Sequence, residues 1–241
     1  YGGRYDLRFG HFLVESVARL WALDHINDPI EGVVFMTGAP RVANNPQRMV
    51  RQARHLYDLF TNLPEPQIIT APTQFETLYV PPQGCGAGQL GVGCPEFRDF
   101  ATTRFSREIA PAGDNCLYIS RTGLKLTPGQ IILEGVLEDA LSREGYHIYH
   151  PEQHSLGDQI ARIRAARKIV GVEGSAFHLV SYAANENCRV AVIRRRPQPT
   201  GIVPHCEAFL PGRVFDINAI TQSFLVKDSP LNPRNARLDF Q

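Results

Sequence analysis

The chain has 241 residues, 43% hydrophobic and 20% charged, with a formal net charge of +1. That is the profile of a soluble globular protein of one large or two small domains, and nothing in its overall charge argues for nucleic acid or a membrane surface. No apolar run approaches the roughly 20 residues a spanning helix needs. The chain starts at Tyr1 rather than Met and is read as trimmed or partial. Its cysteines are Cys85, Cys94, Cys116, Cys188 and Cys206. An odd number at irregular spacing gives neither a disulfide framework nor a zinc ribbon. A reducing, cytoplasmic setting is expected, either free or at the inner membrane face. Cys85 and Cys94 could pair in an exported protein.

In chain order, residues 1–10 read as a Gly- and Arg-rich loop. His11 to about Ile26 reads as a helix, with Leu13, Val17, Leu20 and Trp21 on or near one stripe. Gly32 precedes a short strand, Val33 to Met36. Asn45 caps a helix that Pro46 opens and that runs to about Phe60. Gln67 to Thr70 and Phe75 to Val80 read as strands. Residues 81–94 are a Gly/Pro-rich loop whose length invites a lid over an acceptor. Pro95 to Ile109 reads as helix, and residues 111–114 as a linker.

Beyond the linker the pattern becomes regular. Strands Cys116 to Ser120, Tyr146 to Tyr149, Ile169 to Val172 and Arg189 to Ile193 alternate with helices Gly129 to Glu144, Ser155 to Arg167 and Ser175 to Ala184. That is βαβαβαβ, the pattern of a parallel sheet covered on both faces. The final residues, Lys227 to Gln241, read as a polar surface tail. The domains are therefore drawn at 1–112 and 113–226, with the tail at 227–241.

Ligands of such sheets bind beyond the carboxyl ends of the strands. Ser120-Arg121, His150-Pro151-Glu152, Glu173-Gly174-Ser175 and Arg194-Arg195-Arg196 should converge there. Gly174 permits close backbone approach and Ser175 a helix N-cap, whose free N–H groups suit phosphate. A carboxylate at that anion site, Glu173, calls for a role. Cations, a helix start and carboxylates together suit a ligand with phosphates and hydroxyls, such as a nucleotide sugar. No GxGxxG follows any of these strands and there is no GxxxxGK[ST], so dinucleotide and P-loop readings lose support.

The segment LYISRTGLK…ILEGVLEDALSREGYHIYHPEQHSLGDQIARIRAARKIVGVEGSAFH resembles the donor half of family-61 glycosyltransferases, of the bacterial capsular polysaccharide type. FGHFLVESVARLWAL resembles that family's N-terminal signature. The likeness covers residues 9–24 well and 116–184 strongly, and residues 25–112 in general layout. It implies a GT-B-like architecture of two Rossmann-like domains facing a cleft. It implies sugar transfer from a nucleotide-activated donor to a hydroxyl acceptor on a glycan or glycoconjugate. By resemblance, Ser120 and Arg121 match the SR motif, Glu134 a family Glu on the next helix, and Glu152 the Glu of the PE element. Glu173-Gly174-Ser175 match the family's hGs turn. Glu173 stands where many members have His. Gln130 and Leu133 stand where a basic residue and Asn often precede the helix Glu.

The chemistry of the residues fits. A leaving diphosphate needs charge stabilisation, for which Arg121, Lys125 and the Ser175 backbone are the candidates. No DxD motif is present, so metal-independent transfer without a cofactor is expected. His147, His150 and His154 resemble a metal cluster, but strand alternation separates the first two. His11, Glu15 and Glu173 are candidate bases, with His11 favoured and Glu15 orienting its ring. Glu173 is assigned to positioning the sugar or a phosphate-side cation. Each residue has a plainer alternative. Arg121 could pair only with Glu134 or Glu138, Lys125 could be solvated, Glu134 could be an exposed helix charge, and His178 could be a satisfied core histidine. At the level of function, the rival is a non-enzymatic nucleotide-sugar or glycan-binding module of the same fold.

Overall fold

The computed structural model describes residues 1–37, 45–86, 88–124, 129–225 and 234–239. They form two compact units, Tyr1–Arg107 and Glu108–Gln241.

The first unit is built on a small parallel sheet, β1 (Gly3–Tyr5), β2 (Val34–Thr37) and β3 (Gln67–Ile69), in the order β1-β2-β3. β1 lies in the stretch expected to be loop. Its one buried aromatic, Tyr5, earns the strand its place, packing edge-on against Phe12 and Phe35. The expected helix from His11 to Ile26 is not continuous. A single turn, α1 (Phe9–His11), passes into a π-helical segment at Phe12–Ser16, and a 3₁₀ segment covers Leu20–Asp24. Phe12, Leu13, Ser16, Val17 and Ala18 are all fully buried, so no single apolar stripe sets a 3.6-residue repeat. The Ser16 hydroxyl is also recruited to accept from the Asp6 amide at 2.9 Å. The helix α2 (Pro46–Tyr57) forms as read, with the Asn45 side chain accepting from the Arg48 amide. α3 (Pro95–Arg104) is shorter than expected. Phe75 to Val80 is irregular rather than a strand, with Leu78, Tyr79 and Val80 exposed. Cys85 and Cys94 are both free thiols.

In the second unit the parallel strands are β4 (Cys116–Ile119), β6 (His147–Tyr149), β7 (Lys168–Val172), β8 (Arg189–Ile193) and β9 (Val214–Ile217). They pair in the order β6-β4-β7-β8-β9. The connecting helices are α4 (Glu134–Arg143), α5 (Leu156–Ala165), α6 (Ala176–Ala183) and α7 (Ile202–Phe209). The chain moves from β4 outward to β6 and then back across to β7. This places the topological switch point between β4 and β7. The central strand comes close to its neighbour at Gly171, where a Cβ would meet the Ile119 carbonyl at 2.9 Å.

Two departures from the sequence reading lie on the same face. Ile131–Ile132 is a strand, β5, rather than the start of a helix, and the supposed tail contains a strand, β11 (Arg234–Leu238). β11 is paired between β5 and β10 (Ile220–Leu225), with Ala236 and Leu238 buried. This second sheet adds Ile131 and Leu238 to a core of Tyr118, Val172 and Ile193. Short length and flanking polar residues hid both strands.

Helix α4 starts one residue beyond β5 because Leu133, between them, turns the chain in a left-handed conformation, φ 62° and ψ 32°. Leu is ill-suited to that region and is 64% exposed there. Leu133→Asn is expected to raise stability by about 1 kcal/mol, since Asn tolerates the conformation and can cap the helix. Chemical denaturation of the two proteins measures the difference.

Candidate functional site

Beyond the ends of β4 and β7, at the switch point, two loops meet. Arg121 leaves β4 and its guanidinium lies over Gly174, where a Cβ would come within 2.5 Å of Nη1. A Cβ at this position would push the guanidinium aside. Arg121 is held from its own backbone, whose N–H donates to Glu134 Oε1 at 2.8 Å; the Tyr118 hydroxyl donates to the same oxygen at 3.0 Å. Glu134 is 3% exposed, so it is a buried acceptor and not a solvated helix charge. Burial raises its pKa above the usual carboxylate value, while the two donors act against that rise. Burial likewise lowers the pKa of Arg121.

Ser120 serves the loop rather than facing solvent. It is buried, its hydroxyl donates to Glu138 Oε1, and it accepts from the Thr122 amide at 3.0 Å. Glu152, next along the edge, lies 3.8 Å from His150 Nδ1 and against Gly123. The three histidines of this region each face a separate carboxylate. His147 faces Asp114, His154 faces Asp158, and His150 lies between Glu138 and Glu152. Among the described residues no three His, Cys, Asp or Glu side chains form a metal-ready group.

Glu173 is 3% exposed and sits at the end of β7, its amide donating to the Ile193 carbonyl. Thr200 donates its hydroxyl to Glu173 Oε1, and Arg196 Nε lies 3.8 Å from Oε2. Arg195 donates to the Glu173 carbonyl at 2.8 Å and to the Gly129 carbonyl at 3.0 Å. Burial lowers the Arg195 pKa to about 10, which leaves it charged at neutral pH. Ser175 occupies the N-cap of α6 without a side-chain cap bond and is exposed. His178 packs its ring against His205 of α7, centroids 4.8 Å apart, and so belongs to the α6–α7 packing.

Lys125 lies outside the described residues. Gln130, at a position where the resemblance calls for a basic residue, is tied to β11: its amide donates to Asn235 and its carbonyl accepts from Ala236. Thr200 carried no sequence signal, since its partner Glu173 is 27 residues away.

In the first unit, His11 and Glu15 come together as read. His11 Nδ1 is 2.7 Å from Glu15 Oε1, and the His11 side chain is 43% exposed. The pair spans the passage into the π-helical segment, a feature that recurs at functional sites.

A parallel sheet with cations and a buried carboxylate at its switch point defines an α/β protein of the class whose sheets bind ligands beyond the strand ends. The chain belongs to glycosyltransferase family 61, whose family model, Glycosyltransferase 61, matches residues 9–191. A comparison with curated proteins returns no match. The membership bears out the resemblance and assigns the chain to glycosyltransferases. Among the described residues no helix is long and apolar enough to cross a membrane.

Proposed function

We propose that the protein moves a sugar from a nucleotide-activated donor to a hydroxyl acceptor in polysaccharide or glycoconjugate synthesis. The second unit takes the donor and the first unit the acceptor, a GT-B-like division of labour. The observation that supports this reading is Arg121 laid over Gly174 at the β4/β7 switch point, beside the start of α6. A departing nucleoside diphosphate gathers negative charge as the glycosidic bond breaks. The Arg121 guanidinium and the first amides of α6 stabilise that charge, and the partly desolvated setting strengthens their effect. Glu152 offers carboxylate oxygens to ligand hydroxyls.

Transfer from a panel of nucleotide sugars, with and without glycan acceptors, tests the proposal. Binding without turnover across the panel would favour a non-enzymatic module. Arg121→Ala is expected to weaken nucleoside diphosphate binding by about 1.5–3 kcal/mol, the scale of a lost charge-assisted hydrogen bond. Calorimetry showing unchanged affinity would remove Arg121 from the donor site. Metal-independent transfer follows from the lack of a DxD motif, so activity is expected to survive EDTA. Loss of activity with the chelator, restored by manganese, would overturn that expectation.

A further inference from the structure

The run Arg194-Arg195-Arg196 follows β8, and the fold gives its members three different positions. Arg194 is bound to Asp216 on β9, with Nε 2.7 Å from Oδ1. Arg195 bridges the turn after β7 and the loop before β5 through two carbonyls. Arg196 makes neither kind of bond. Its side chain is 42% exposed, and its Nε is 3.8 Å from Glu173 Oε2. Glu173 has Oε1 bonded to Thr200, while Oε2 is buried without a hydrogen-bond donor among the described residues. A carboxylate buried to 3% with one oxygen aimed at a half-exposed guanidinium is built to hold that guanidinium in place. Arg196 is also near enough to Arg121 for its charge to oppose the charge of Arg121. Two cations kept close together at one set of strand ends call for a shared anion.

We infer that Arg196 is a second diphosphate-binding residue, paired with Arg121, and that Glu173 is the residue that positions it, with Thr200 fixing the Glu173 carboxylate. The nature of the anion rests on the nucleotide-sugar reading. Arg196 and Thr200 both lie beyond residue 191, where the family match ends. The inference explains why an acidic residue stands at an anion site: it anchors a cation that neutralises it.

Inorganic pyrophosphate, titrated calorimetrically into the full chain, separates the possibilities. Arg196→Ala is expected to weaken its binding by about tenfold or more, and Arg196→Lys by less. Arg196 is half-exposed, so both variants should fold, and matching circular dichroism checks it. Glu173→Gln supplies the second test. If Glu173 only repels the anion, neutralising it strengthens pyrophosphate binding whether or not Arg196 is present. If it positions Arg196, the strengthening appears in the Arg196→Ala background and is absent when Arg196 is there. Additive effects overturn the inference. So does wild-type affinity in Arg196→Ala, or a wild-type chain that does not bind pyrophosphate. Arg196-dependent pyrophosphate binding in a chain that turns over no nucleotide sugar would keep the anion site and remove the transferase reading.

Discussion

His11→Ala is expected to lower kcat by about two to four orders of magnitude, the usual scale for losing a general base. Nucleoside diphosphate affinity should stay close to that of the wild-type chain. The argument begins with local geometry. Glu15 Oε1 lies 2.7 Å from His11 Nδ1, and a carboxylate accepts, so the proton sits on Nδ1. The lone pair is then on Nε2, on a ring that is nearly half exposed. Imidazole is the side chain whose ordinary titration spans neutral pH, which suits removal of a hydroxyl proton. With His11 as the proposed base, Glu15 would select the tautomer it needs and aim the ring. Glu15→Gln should lower kcat by less than His11→Ala and leave KM for the donor little changed. Steady-state kinetics with saturating donor measures both. Near-full turnover in His11→Ala would move the base elsewhere. Glu173 is a weaker choice, because it is buried and one of its oxygens is already taken by Thr200.

Local signals in the sequence were enough for the main sheet and the outline of the site. β-branched runs between helical stretches marked β4, β6, β7 and β8, and the parallel-sheet rule then placed Arg121 and Glu173 at one edge. Asn45 and Ser155 each accept from the amide three residues on, as helix caps of their type do. What could not be read depends on distant pairing. β5 is two residues long and exists through Ala236 and Arg237. The π-helical segment follows from burial on every side of Phe12–Ser16, a property of tertiary packing. Glu134 is readable from the sequence only as a family Glu or an exposed helix charge, because its acceptor role needs the Tyr118 hydroxyl, which comes from the neighbouring sheet. The Arg run was visible as a run, but only β9 and the turn after β7 separate its three members.

Glu134→Ala is expected to cost the second unit about 3–5 kcal/mol, the scale of removing one partner from a buried charged network. The substitution strands two donors at once. The Tyr118 hydroxyl is fully buried, and the Arg121 amide loses an acceptor at 2.8 Å. It also takes away the carboxylate that favours the charged guanidinium of Arg121. Donor binding should therefore fall together with stability. Glu134→Gln keeps an acceptor oxygen and should cost about 1–2 kcal/mol. The two variants also differ in pH dependence. Burial raises the folded pKa of Glu134 above its unfolded value of 4.5. The folded state then holds the proton more tightly than the unfolded state. Its contribution to stability is fully present below about pH 4.5 and is lost as pH rises through the folded value. Wild-type stability should carry that decline and Glu134→Gln should lack it, because the amide does not titrate. Denaturant unfolding followed by circular dichroism at a series of pH values measures both. Equal pH profiles for the wild type and Glu134→Gln would overturn the raised pKa, and a loss below about 1 kcal/mol in Glu134→Ala would show that Glu134 does not anchor the Arg121 loop.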